Sequence, residues 1–263
     1  FSMVILGLLM RISYQVVLIA GIVLFFGHNI VDYPDLPQNG VAGNLWSLFL
    51  TSSGRVIPID SSHMIGVFYA ILPWTGVMLM GYSIGKWFQK DFPAEKRKRL
   101  LLITGSSLIL LFIILRILKG YGNPGGWDGK NLYSFLDTSK YPPSLQYCCM
   151  TLGPGILFLA LAENVRAGWG RFVSVYGRVP FFYYILHFYL IHTLTVIIFF
   201  ATGHTTAQIN DPQSIFLFRP VNFGFDLWIV YIIWISIIAM LYLPCRWFNK
   251  YKMQHSQWWL RYV

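Results

Sequence analysis

Apolar residues along this chain gather into runs of about 17–25 positions, the length a helix needs to cross a bilayer core. Polar stretches rich in Gly, Pro, Asn and Asp separate them. Six runs are complete: Gln15–Val31, Met64–Ile84, Leu100–Leu118, Leu145–Ala162, Val179–Ala201 and Phe223–Leu243. The chain opens inside a seventh, FSMVILGLLM ahead of Arg11, which is too short to cross and reads as the last half of a span. The expectation is an all-α, polytopic transmembrane helix bundle. Residues 1–263 would form a single integral-membrane domain, a fragment that lacks its N-terminal spans, with about six complete spans plus a partial first one. A signal peptide would need an upstream basic region and a cleavage site, and neither is present.

Two runs are interrupted. Gly153–Pro154–Gly155 falls mid-span and should bend its helix toward the bundle interior, because irregular backbone at membrane depth needs protein or a wet cavity to satisfy it. Pro73–Trp74 should break the span ILPWTGVMLMGY in the same way. The connections 32–62, 119–143 and 202–222 are long and carry YPDLPQNG, YGNPGGWDGKN and NDPQS, which favours functional loops over simple turns. Within the first, LWSLFL (45–50) has the pattern of a segment lying on the membrane surface.

Composition agrees with lipid as the solvent. The chain is 56% hydrophobic and 11% charged, with mean hydropathy +0.56, where a soluble domain carries about 25% charged residues. A net charge of +10 would suggest nucleic acid in a soluble protein, but the cations cluster at the ends of apolar runs and no nucleic-acid motif is present. Fourteen Lys and Arg fall on one set of connections and six on the other. The first set (Arg11, 86–99, 166–178, 246–261) should face the cytoplasm, placing the C-terminus on the cytoplasmic side with Trp258 and Trp259 at the headgroups. Cys148, Cys149 and Cys245 have neither metal-ligand nor disulfide spacing and read as packing residues.

The candidate chemistry lies in the polar residues at membrane depth. His187 and His192 are five positions apart, about 140° around a helix, so one face cannot present both to a metal. Tyr183 and Tyr184 lie within a turn of His187, and Tyr189 within a turn of His192; such pairs relay a proton or fix a tautomer. A packed histidine bonded to backbone gives the same pattern. His28, Asn29 and Asp32 close the first complete span and are candidates for an outer substrate pocket, or for a helix cap. Arg116 and Lys119 are candidates to hold an anionic acceptor, or to anchor by snorkelling. Arg178 precedes Val179–Pro180 at a helix start, where a cation is unfavourable without an anionic partner. The Lys96–Arg99 run could hold phosphates or set orientation.

Several strings in order resemble one family: GHNIVD (27–32), LPWTGVMLMGYSIGKWF (72–88), LRILKGYGNP (115–124), SFLDTSKYPPSLQY (134–147) with MTLGPG, YGRVPFFYYILHFYLIH (176–192), YLPCRWF and WWLRYV. The chain resembles the bacterial membrane proteins grouped with the catalytic domain of heparan-alpha-glucosaminide N-acetyltransferase. That resemblance implies a transmembrane acyltransferase passing an acetyl group from cytoplasmic acetyl-CoA, as co-substrate, to a sugar or other envelope acceptor outside. No metal or permanently bound cofactor is implied. His187, His192 and Tyr184 would line the acyl path as catalytic candidates. Arg178, Lys96, Arg97 and Arg99 would meet CoA phosphates, and His28, Asn29, Asp32, Arg116 and Lys119 would meet the acceptor. The family's Arg/Asp-rich motif and the histidine credited with catalysis belong to spans ahead of residue 1, so none of the histidines here is equated with it, and the fragment need not be active alone. The partners implied are the bilayer, acyl-CoA and an envelope glycan, without nucleic acid. Homo-oligomers are common among membrane enzymes, though no interface is specified. Two other classes fit the residues alone: a permease for a small polar or anionic solute, and a non-catalytic membrane partner of an envelope enzyme.

Overall fold

A computed structural model describes every residue except 35, 36, 38, 52–54, 61, 62, 124, 125, 164, 166, 167, 210–217, 219, 221, 222, 262 and 263. The chain divides into two compact units, Phe1–Asn164 and Val165–Val263. The first holds helices α1 (Ser2–Met10), α2 (Tyr14–Gly27), α3 (Gly40–Trp46), α4 (Ile71–Ile84), α5 (Ala94–Ile117), α6 (Leu132–Leu136) and α7 (Leu145–Ala162). A 3₁₀ turn, His28–Asp32, extends α2, and a short antiparallel hairpin pairs β1 (Arg55–Pro58) with β2 (Met64–Val67). The second unit holds α8 (Gly168–Arg178), α9 (Pro180–Ala201) and α10 (Leu227–Gln254).

The architecture is the expected all-α helical bundle. Among the described residues, five helical segments are long and apolar enough to cross a membrane: Tyr14–Asp32, Ala94–Ile117, Leu145–Ala162, Pro180–Ala201 and Leu227–Gln254. The sixth expected run, Met64–Ile84, is not one helix. Its first four residues form β2, and only the 14 residues of α4 are helical, about 21 Å of rise against a core of about 30 Å. Pro73 begins this helix rather than breaking it, for it occupies the first turn, where no intrahelical N–H is required. Pro154, by contrast, does lie inside α7.

Small residues bring the helices of the first unit together. A Cβ on Gly105 of α5 would lie 2.9 Å from the Gly153 carbonyl oxygen of α7, and one on Gly153 would lie 2.8 Å from Ile109. The Gly-Pro-Gly interruption thus faces α5 through Gly153, while Pro154 itself is exposed. A Cβ on Gly76 of α4 would meet the Phe25 nitrogen of α2 at 2.9 Å. Phe25, Phe112, Leu145, Cys148 and Cys149 fill the core beside these contacts. In the second unit Val175, Val179, Phe248, Leu260 and the third cysteine, Cys245, form the core where α8 and the start of α9 meet the last turns of α10. All three cysteines are free and buried, in keeping with a packing role.

Candidate functional site

The functional geometry of the first unit is concentrated at the end where α2 and α5 finish and α7 begins. A helix start leaves backbone N–H groups without partners. At α7 three of them are met from three directions. Ser144, itself 1% exposed, accepts from Tyr147 N at 3.0 Å; the Gly122 carbonyl accepts from Gln146 N at 3.1 Å; and the Asn29 side-chain oxygen accepts from Leu145 N at 2.8 Å. The Asn29 amide nitrogen donates to Asp32 Oδ2 at 2.7 Å, so both ends of this buried amide are committed.

His28 is buried beside it. Its Nδ1 lies 2.8 Å from the Leu24 carbonyl oxygen and its Nε2 2.8 Å from that of Pro143. A neutral imidazole donates one of these bonds and the imidazolium donates both. With a proton on Nε2, which donates to Pro143, the ring ties the end of α2 to the segment leading into α7. Arg116 is 1% exposed and spreads its guanidinium over the carbonyls of Ser134, Phe135 and Asp137, with Gln146 Oε1 at 3.4 Å. Gln146 in turn donates to the Tyr121 carbonyl at 3.1 Å. His28, Asn29 and Arg116, all candidates for contacting substrate, are therefore engaged by the protein's own backbone and side chains, as a frame.

On that frame lies a cavity of about 350 Å³ lined by Asp32, Tyr33, Lys119, Gly122 and Asn123, with Gly126 at its edge. Two of the sequence candidates, Asp32 and Lys119, thus come together from different helix ends, with side chains exposed. Tyr33 and Tyr121 stack with centroids 6.2 Å apart and planes 8° off parallel. The Tyr121 hydroxyl donates to the Phe26 carbonyl at 2.7 Å, and burial pushes its pKa above the ordinary value, so it remains a donor at neutral pH. Gly122 has φ +91 and approaches Leu145 so closely that a Cβ would lie 3.0 Å from the leucine Cβ. Lys119 has φ +51, in the left-handed region that glycine normally fills just past a helix end. Tyr33, Asn123, Gly122 and Gly126 were not singled out from the sequence. The signals present were the functional reading of YGNPGGWDGKN and the position of Tyr33 next to Asp32.

At the opposite end of this unit Lys86 lies over the Tyr14 ring, 3.1 Å from its centroid. The candidate phosphate ligands Lys96, Arg97 and Arg99 begin α5 there. Arg97 is occupied: its guanidinium holds Glu163 through Nε at 2.9 Å and through Nη2, and Nη1 reaches the Trp87 carbonyl at 3.3 Å. This fork holds the Glu163 carboxyl below its ordinary range. Lys96 and Arg99 are exposed.

In the second unit the His187 ring stacks on Tyr183, 5.0 Å away and 5° from parallel, and Nδ1 lies 3.1 Å from the Tyr183 carbonyl. Tyr184 packs at 5.4 Å on the same imidazole. Nδ1 is thus matched to a backbone acceptor, which orients the ring. His192 is exposed and its ring neighbours Phe218 at 5.9 Å. Tyr189, expected to pair with it, is 68% exposed and packs on Phe188. Arg178 is exposed at the end of α8, and its carbonyl accepts from Lys252 Nζ at 3.2 Å.

Residues 1–115, which carry α1 to α4 and nearly all of α5, match the family described as heparan-alpha-glucosaminide N-acetyltransferase, catalytic. No curated protein and no solved structure shows significant similarity to the chain. Over that segment the chain is similar to the family, in agreement with the resemblance carried by GHNIVD and LPWTGVMLMGYSIGKWF.

Proposed function

We propose, taking the similarity of residues 1–115 to that family as the premise, that the chain works as part of a membrane acyltransferase. It passes an acetyl group from cytoplasmic acyl-CoA to a sugar or other envelope acceptor on the outer side. The observation that carries this reading is the cavity between Asp32 and Lys119. Opposite charges face a volume of about 350 Å³ with an aromatic wall, on a frame whose His28, Asn29 and Arg116 are already bonded. Lys119 supports it further. A non-glycine residue in the left-handed region costs roughly 1–2 kcal/mol, and Lys119 bears that cost at the cavity wall.

In this reading Asp32 and Lys119 hold the acceptor, and His28, Asn29 and Arg116 position the cavity walls. The exposed Lys96 and Arg99 meet the phosphates of the donor, next to Arg97, which is bonded to Glu163; Arg178 is the second unit's own candidate for a phosphate. His187, oriented by the Tyr183 carbonyl and flanked by Tyr184, is the candidate general base that the second unit supplies. His192 is the second proton-handling candidate. Coenzyme A leaves as the thiol. The positive-inside distribution of Lys and Arg supports a cytoplasmic donor side and C-terminus.

The test uses the chain purified into lipid vesicles, with radiolabelled acetyl-CoA on the face carrying Lys96–Arg99 and an amino sugar on the other. Label transferred to the protein or the sugar supports acyl transfer. Solute flux without any CoA requirement favours the permease instead. Lys119→Gly sharpens the result: the change relieves the left-handed strain, so stability stays within about 1 kcal/mol of wild type, while acceptor use falls. Full acceptor use in that variant removes Lys119 from the site.

A further inference from the structure

We propose that one face of the last helix, α10, binds an anionic phospholipid, with the phosphate between Arg246 and Lys250 and an acyl chain along Leu243 and Trp247. A groove of about 670 Å³ runs there, lined by these four residues and by Asn249, Met253 and Gln254. Their spacing places them on one side of the helix. The opposite side, with Leu241, Cys245 and Phe248, is buried in the unit's own core.

Depth and charge select the occupant. From Leu227 to Arg246 the helix rises about 28 Å, close to the thickness of the hydrocarbon layer. Arg246 and Lys250 therefore emerge into the headgroups, while Leu243, 68% exposed, and Trp247, 64% exposed, stay at the boundary where an acyl chain begins. Residues i and i+4 stand about 6 Å apart on a helix surface, a separation that one phosphate can bridge. Residues 227–263 contain no Asp or Glu, so no carboxylate side chain of α10 itself competes for these cations. Lys252, two residues on, adds to the same positive field. The mixture of two cations with three exposed apolar side chains distinguishes this face from a simple orientation signal, which needs charge alone.

Native mass spectrometry of the full chain in micelles, with phosphatidylglycerol and phosphatidylcholine at equal mole fraction, tests the proposal. A phosphatidylglycerol adduct retained roughly tenfold over phosphatidylcholine is expected from two cations at the interface. The double change Arg246→Gln with Lys250→Gln should abolish that preference. Lys90→Gln with Arg171→Gln removes the same charge elsewhere and should leave it intact. Equal retention of both lipids overturns the proposal. So does equal loss in the two double variants, which would mean diffuse attraction. Displacement of the lipid by millimolar coenzyme A would assign the groove to a soluble phosphate ligand and also overturn it. Quenching of Trp247 by brominated phosphatidylglycerol, referenced to Trp247→Phe, tests the same groove with both cations in place. Quenching no greater than with brominated phosphatidylcholine counts against the site.

Discussion

The two units are equally apolar and differ in how their helices hold together. The spans of the first have mean hydropathies of 1.8, 2.5 and 1.6, and those of the second 1.9 and 2.2. Yet the first three bury 28%, 22% and 33% of their apolar windows within the chain, against 6% and 11% for α9 and α10. Composition accounts for the difference. Helices α2, α4, α5 and α7 bring Gly21, Gly76, Gly105 and Gly153 to their contacts, whereas α9 and α10 contain no glycine and are thick with Phe, Tyr, Trp and Ile. In a solvent as apolar as the side chains, apolarity does not draw helices together; close backbone approach and shared polar bonds do. The first unit has both, and its bonded polar end is what frames the cavity.

The largest expected effect comes from erasing that advantage. Gly105→Leu forces a side chain against the Gly153 carbonyl, where even a Cβ would lie at 2.9 Å. It should cost about 3 kcal/mol, the upper range for overpacking, read as thermal unfolding in micelles. Ser236→Leu, at an exposed position of α10, should change little. If the two variants melt alike, close glycine contact is not what distinguishes the units.

Kinetics sharpen the comparison next. On the proposed roles, with Asp32 at the acceptor and His187 as the base, Asp32→Asn should raise KM for the acceptor with little change in kcat. His187→Ala should lower kcat on the order of 10²-fold, the usual size of a general acid–base contribution. Unchanged turnover in His187→Ala would remove that residue from the mechanism, and a kcat loss confined to Asp32→Asn would move the chemistry into the first unit.

Much of this architecture was legible as pattern, because a span announces itself by length and apolarity. Met64–Ile84 misled for a physical reason. HMIGVFYAILPW is apolar throughout, and nothing in its hydropathy separates the strand Met64–Val67, whose pairing partners lie at Arg55–Pro58, from the helix that begins at Ile71. The site was half legible. Asp32 and Lys119 stand out as charges at helix ends, but their meeting depends on α2 and α5 finishing at one level. The occupation of His28 by Pro143, 115 positions away, and of Asn29 by Leu145, 116 away, is tertiary and leaves no local trace. Arg116 illustrates the same limit: a buried arginine bonded to three carbonyls and a snorkelling anchor have the same sequence signature.

The smallest expected effect concerns charge at the ends. In the first unit a cation near the start of α5 is met by a carboxylate, Arg97 by Glu163, whereas no acidic residue follows α10 in the second. Arg97 lowers the Glu163 pKa below its ordinary 4.5. The folded protein therefore binds this proton less tightly than the unfolded chain, and the pair contributes stability above that ordinary value. The contribution is lost as pH falls through the depressed folded value. Glu163→Gln should thus lower the melting temperature modestly at neutral pH, by a gap that narrows in acid below the ordinary glutamate range. The modest size follows from a pair near the surface, where solvent and salt screen the charges. A gap that is constant from neutral pH into strong acid would mean that Glu163 acts by packing alone. A gap that widens in acid would reverse the sign and exclude the ion pair as its source.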